Sequence, residues 1–264
     1  MSRAPRRSLL LTAALAITLV LPASVTASHS WGSYHWARTS NPFTLKLGDN
    51  VTSAWYPYLS TTSTDWSVSD VLDTTIVAGT AVKRLCSATT GTVQVCNSKY
   101  GSNGWLGVAQ IWISGSHITK GTVKVNDTYF GTSSYNTPAW RQMVMCQEVG
   151  HTFGLGHQDE DFSNPDLVAG GKESCMDYTS TPAGNEQPNA HDYEQLVTIY
   201  GGHTDSTSTV ASVPAASAAA VADDAADAAW GRLVEVTNQG QGSWYVRDLG
   251  AGNLILTHVF WANR

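Results

Sequence analysis

The chain has 264 residues, of which 42% are hydrophobic and only 14% charged, against roughly 25% charged in an average globular protein. This excludes a disordered polyelectrolyte and a coiled coil, and the length allows one sizeable core with a small appendage. The formal charge is −6, and an acidic chain with no Lys/Arg cluster beyond its first residues argues against nucleic acid or an anionic membrane as partner.

In chain order, Arg3, Arg6 and Arg7 precede an apolar run over 9–21, followed by Val25-Thr26-Ala27. Residues 1–27 read as a signal peptide cleaved before Ser28, because the apolar run is short of the ~18 residues that span a bilayer. The expected mature chain is secreted and extracellular, monomeric and free of membrane after cleavage. It carries 12 basic against 21 acidic residues, a formal charge of −9. Export makes the four cysteines informative, since an even number in an oxidising compartment implies disulfides. Three pairings are open. The turn-rich segment Thr89-Thr90-Gly91-Thr92 between Cys86 and Cys96 favours that pair, leaving Cys146 with Cys175. The lack of any C-x-x-C pair speaks against a cysteine zinc site.

Residues 44–47 and 74–78 are strand candidates, with a short helix over 54–65 that places Pro57 in its first turn. Residues 108–114 and 121–125 are β-rich runs separated by glycine turns and are expected to be neighbouring strands. Trp31, Trp36, Trp55, Trp66, Trp105 and Trp112 are scattered and read as core. Thr137-Pro138 signals a helix start, Thr as N-cap and Pro at the first position. That helix runs to about Phe153, where Gly154 and Gly156 let the chain turn away. A second helix begins at Asn189, with Asp192 at its third position, and ends at Gly201-Gly202. Residues 204–229 are Ala, Ser, Thr and Asp without an aromatic, the composition of a linker. The domain is therefore 28–203, and 230–264 is a β-rich tail with strand-like runs at 233–237, 243–246 and 254–260. Such a tail is below the ~40 residues that usually fold alone, so it must pack on the core or on a partner.

The chemistry concentrates in Gln147-Glu148-Val149-Gly150-His151-Thr152-Phe153-Gly154-Leu155-Gly156-His157. Residues 147 and 151 are one helical turn apart on one face. Glu148 lies beside that face, where a carboxylate can take a proton from water without occupying the metal. The Gly154 turn brings His157 round to the same place. A Met-containing segment, Ser174-Cys175-Met176-Asp177-Tyr178, follows downstream.

These residues resemble the metzincin clan of zinc metallopeptidases, most closely its matrixin-like branches, whose pattern is H-E-x-x-H-x-x-G-x-x-H followed by a Met-turn. The resemblance spans roughly residues 40–203. It implies an α+β fold: a twisted mixed sheet with an active-site helix, a Met-turn and a C-terminal helix. It also implies one catalytic Zn2+, a protein or peptide substrate, and a secreted metalloendopeptidase. By position, His151 and His157 match zinc ligands, Glu148 the general base, Met176 the Met-turn and Tyr178 a tyrosine near the metal. Gln147 stands where the clan has its first ligand histidine. Its carbonyl oxygen is a third donor of similar reach; the competing reading is a catalytically inactive metzincin-like binding protein. Cys146 with Cys175 would clamp the helix to the Met-turn, and residues 108–114 would be the cleft-edge strand that pairs with an extended substrate. His117, His191 and His203, which could supply a compensating nitrogen, read more simply as surface polar residues. Asp159, Glu160 and Asp161 offer carboxylates to Ca2+, although a solvated loop explains them as well.

Overall fold

The protein was described from a computed structural model, which covers Met1 and residues 29–160, 174–210, 230–236 and 242–262. The signal-peptide reading, Asp161 and most of the linker lie outside the described residues. Strands β1 (His35–Trp36), β2 (Phe43–Asn50), β3 (Leu72–Ala78), β4 (Thr92–Ser98), β5 (Trp105–Ser114), β6 (His117–Asn126), β7 (Arg232–Val236), β8 (Gly242–Gly250) and β9 (Asn253–Trp261) form one sheet. Its order is β3-β2-β4-β6-β5-β9-β8-β7, with β1 against β6. The β3-β2-β4-β6 half is parallel and the β6-β5-β9-β8-β7 half antiparallel. Helices α1 (Tyr56–Trp66), α2 (Asp127–Phe130), α3 (Pro138–His151) and α4 (Ala190–Tyr200) complete an α+β fold. Among the described residues, no helix is long and apolar enough to cross a membrane.

The long helices begin where their capping chemistry puts them. Thr137 Oγ1 accepts the Trp140 amide at 3.2 Å, satisfying an otherwise unpaired N-terminal donor of α3. At α4, Asn189 caps the His191 and Asp192 amides while the Asp192 carboxylate accepts the Asn189 amide, a full capping box. Strand β4 was not among the sequence expectations, since its start overlaps the 89–92 turn signal. It lies between β2 and β6 and is buried on both faces, so its residues do not alternate.

The C-terminal tail corrects one expectation. Both edges of β5 are taken: β6 lies on one side and β9 on the other, with Val108 opposite Val259 and Ile111 opposite Leu256. The strand expected to receive substrate is thus paired along its length with the chain's own tail. The hairpin β8–β9 and strand β7 extend the sheet outward, and β7 is exposed throughout.

Two disulfides brace the frame. Cys86–Cys96 ties the loop before β4 to that strand, and Cys146–Cys175 ties α3 to the 174–178 turn. The close approach of α3 and that turn needs a residue without a side chain at position 150. A Cβ on Gly150 would lie 2.5 Å from Met176 Sδ and 2.6 Å from Trp66 Cζ2. Gly150→Ala is therefore expected to destabilise the fold by about 1–3 kcal/mol through overpacking, measured by denaturant unfolding. Unchanged stability would mean that Met176 and Trp66 are not packed against this turn of α3.

Candidate metal centre

The last turn of α3 and the bend after it put two imidazoles together. Gly154 has φ +96, and a Cβ there would come within 2.6 Å of the Tyr34 carbonyl oxygen, so the reversal depends on glycine. It returns the chain so that the His157 ring centroid lies 4.8 Å from that of His151. His151 Nδ1 donates to the Leu155 carbonyl at 2.9 Å, which sets the tautomer and leaves Nε2 with a lone pair.

Gln147 is held by its amide nitrogen. Its amide nitrogen donates to the carbonyls of Cys175 at 2.8 Å and Asp177 at 2.9 Å. Two such donations need an NH2 group, and an imidazole edge offers only one N–H. The side chain is fully buried and joins α3 to the Met-bearing turn alongside the Cys146–Cys175 disulfide. Its Oε1 has no hydrogen-bond partner.

A third imidazole comes from the tail. His258 of β9 lies with its ring centroid 4.1 Å from His151 and 4.9 Å from His157. One nitrogen from each of these three rings lies within 4.8 Å of the others. Register explains the placement: His258 is opposite Ala109 on β5, so its side chain shares a face with Phe260 and points at the end of α3. Its Nδ1 is 3.3 Å from Glu148 Oε2, which makes Glu148 the carboxylate that orients this ring. From the sequence, His117, His191 and His203 read more simply as surface residues than as a compensating nitrogen, and His258 is not singled out. The available signal was a histidine inside the apolar run 254–260, two residues from Leu256 and from Phe260.

Buried nitrogens without partners mark what belongs in this space. His151 Nε2, His157 Nε2 and His258 Nε2 are all buried and lack any hydrogen-bond partner, a condition native proteins rarely tolerate. Burial pushes His157 down to about 4 and His258 to about 3, and pushes His151 well down, so the three rings are neutral. Neutral imidazoles meeting at one point are the donor set of a catalytic-type zinc site. Glu148 is moved the other way, its carboxyl raised well above the usual range by burial. The residues therefore fit a zinc ion.

The surroundings close the site. Trp244, directly across from His258 in the β8–β9 pair, lies 4.6 Å from it and 4.9 Å from His151, ring to ring. Trp31 meets Trp244 edge-on at 4.3 Å. Tyr178 is buried, with its ring edge-on to His157 at 4.6 Å and stacked on Phe260 at 5.0 Å. Met176 is buried under Gly150, and the turn that carries it is held by Ser174, whose hydroxyl donates to Asp192 at 2.6 Å. Surface hollows of about 420 and 350 Å³ lie elsewhere, lined respectively by residues such as Tyr58 and Gln142 and by Val68 and Tyr193.

The other residues weighed from the sequence are dispersed. His191 stacks on His29 at 4.8 Å, and His117 and His203 lie beside His35 and Asp205. Glu160 Oε1 is 3.5 Å from His157 Nδ1, and the Asp159 carbonyl accepts the Tyr178 amide. Among the described residues, Asp159 and Glu160 belong to neither group of three metal-competent side chains.

No family model matches the chain, and no curated protein matches it. Among solved structures it is similar to myroilysin, at 12% identity and TM-score 0.37, covering 66% of this chain and 98% of that one. It is also similar to high choriolytic enzyme 1, a hatching enzyme zinc-protease from Oryzias latipes, the medaka fish. That match has 10% identity and TM-score 0.34, covering 64% of this chain and 95% of that one. A second crystal structure of myroilysin gives 14% identity and TM-score 0.34, over 65% of this chain and 88% of that one. Likenesses this slight carry no weight beside the residues themselves.

The indole of Trp244 is expected to seal the three imidazoles from solvent. In folded wild type, a histidine-acylating reagent followed by peptide mapping should leave His151, His157 and His258 unmodified. Trp244→Ala should make them reactive, and Trp244→Phe, which keeps a ring, should protect them in part. Full reactivity in wild type would show that the site is open in solution.

Proposed function

We propose that the chain is a secreted zinc metallopeptidase whose zinc is held by His151, His157 and His258, with Glu148 as general base. The observation that carries this reading is the convergence of three buried, unpartnered imidazole nitrogens beside a buried carboxylate. The metzincin-like motif supports peptide as the substrate class, and two disulfides support an oxidising, extracellular compartment. A zinc ion supplies a Lewis acid that acidifies water and polarises a carbonyl. Glu148 would accept the proton of the attacking water as the new C–O bond forms. It would then deliver that proton to the amine nitrogen as the C–N bond breaks. His258 would hold the base in place through its contact with Oε2, and Tyr178 would fix the ring of His157.

A second reading has its own observation. The β5 edge is occupied by β9, and Glu148, His151 and His258 have no exposed surface. A site that stays closed in this way is a zinc-stabilised binding protein, not a peptidase.

Metal analysis of variants, combined with an unfolded-casein assay, separates these readings. His258→Ala is expected to lose this zinc, whereas Gln147→Ala keeps it. Zinc retained by His258→Ala and lost by Gln147→Ala would return the third position to Gln147. Glu148→Gln is expected to keep zinc and lower cleavage by at least a hundredfold, the scale of a positioned base. Zinc-loaded wild type with no cleavage would establish the closed, non-catalytic reading.

A further inference from the structure

A second cluster of histidines lies where the N-terminal segment, the start of β6 and the chain beyond α4 meet. We propose that His35, His117, His203 and Asp205 form a structural site for a divalent transition metal, zinc by its donor set. The first two donors are set by strand topology. Strand β1 runs parallel to β6 with His35 in register with His117, so the two rings stand side by side, centroids 5.0 Å apart. The chain leaving α4 then lays His203 and Asp205 against them, with the Asp205 amide bonded to the Arg38 carbonyl at 2.8 Å.

The distances match a coordination shell. Zn–N and Zn–O bonds of about 2.0–2.1 Å at tetrahedral angles place neighbouring donor atoms roughly 3.3 Å apart. Here Asp205 Oδ1 is 3.1 Å from His117 Nε2 and 3.5 Å from His35 Nε2, and His203 Nε2 is 3.3 Å from His35 Nε2. His35, His117 and Asp205 form a group with donor atoms all within 4.8 Å of one another.

The orientation of the groups makes the same point. His35 Nδ1 donates to the Ser33 carbonyl at 2.8 Å, which leaves Nε2 as the ring nitrogen facing the Asp205 carboxylate and His203 Nε2. Arg38 Nη1 donates to His203 Nε2 at 3.2 Å, and Nη1 and the Arg38 backbone amide donate to the other carboxylate oxygen, Oδ2, at 3.0 and 3.1 Å. This leaves Oδ1 directed at the histidines, as a monodentate ligand would be. His203 becomes the fourth donor by exchanging its Arg38 contact for the metal. A metal there would fasten the segment before β2 to the exit of α4 at the end of the sheet.

The test counts metal on the full mature chain, after chelator stripping and zinc titration, by native mass spectrometry. Wild type is expected to bind two zinc ions. His117→Ala, at a side chain 36% exposed, and Asp205→Asn should each bind one. His203→Ala should weaken the second ion at least tenfold. His258→Ala should remove the other ion and leave this one, so failure of the peptidase reading is seen separately. Cobalt in the His258→Ala variant should give the strong visible absorption of a tetrahedral site. The proposal is overturned if His117→Ala and Asp205→Asn, both folded by circular dichroism, bind as much zinc as wild type. It is equally overturned if wild type binds no ion that these changes remove.

Discussion

The antiparallel register between β5 and β9 is the constraint on which the three-histidine cluster depends. Ala109 stands opposite His258, and the strand's two-residue period then points His258 and Phe260 toward α3, with Thr257 and Val259 on the reverse face. A slip of one residue would turn His258 away and present a neighbour instead. The register is held on the far face as well, where Gln110 Nε2 donates to Thr257 Oγ1 at 3.0 Å. On the near face Phe260 stacks on Tyr178, so tail, sheet and the Met-bearing turn are located by one set of contacts. A strand near the C-terminus is thereby a component of the core, since Val259 and Phe260 are fully buried.

Around that register the protein keeps its buried ring nitrogens uncharged. An isolated imidazolium in a dry interior is costly, and burial answers by lowering the pKa until the ring is neutral. A neutral ring with one nitrogen directed to a fixed acceptor has one lone pair left to donate. For His151 the acceptor is the Leu155 carbonyl and for His258 it is Glu148.

What could be read from the sequence was local, and what could not was pairing over distance. Thr137-Pro138 and Asn189 with Asp192 announce helices because capping is completed within four residues. The strand runs of the tail were visible through alternation, but nothing in 254–260 says which strand lies beside it. His258 therefore went unconnected to a motif 110 residues earlier. β4 was masked by the turn residues at its start, and β1, with two residues, has no pattern to see. Gln147 shows the opposite difficulty. Its position in the motif was plain, but its role depends on two carbonyls of a turn some thirty residues away. A motif fixes where a side chain starts and leaves its partners to the fold.

The division of labour between Gln147 and His258 follows from this geometry. At position 147 an amide can satisfy two turn carbonyls at once, which a histidine could not do while also directing a nitrogen at a metal. The third imidazole beside His151 and His157 comes from β9, paired along β5. The same strand occupies the edge along which an extended peptide would align and brings Trp244 over the imidazoles. Completing the donor set and closing the site are therefore one structural event. Any motion that withdrew the hairpin to open this space would withdraw His258 and Trp244 with it, so the third imidazole and the cover move together.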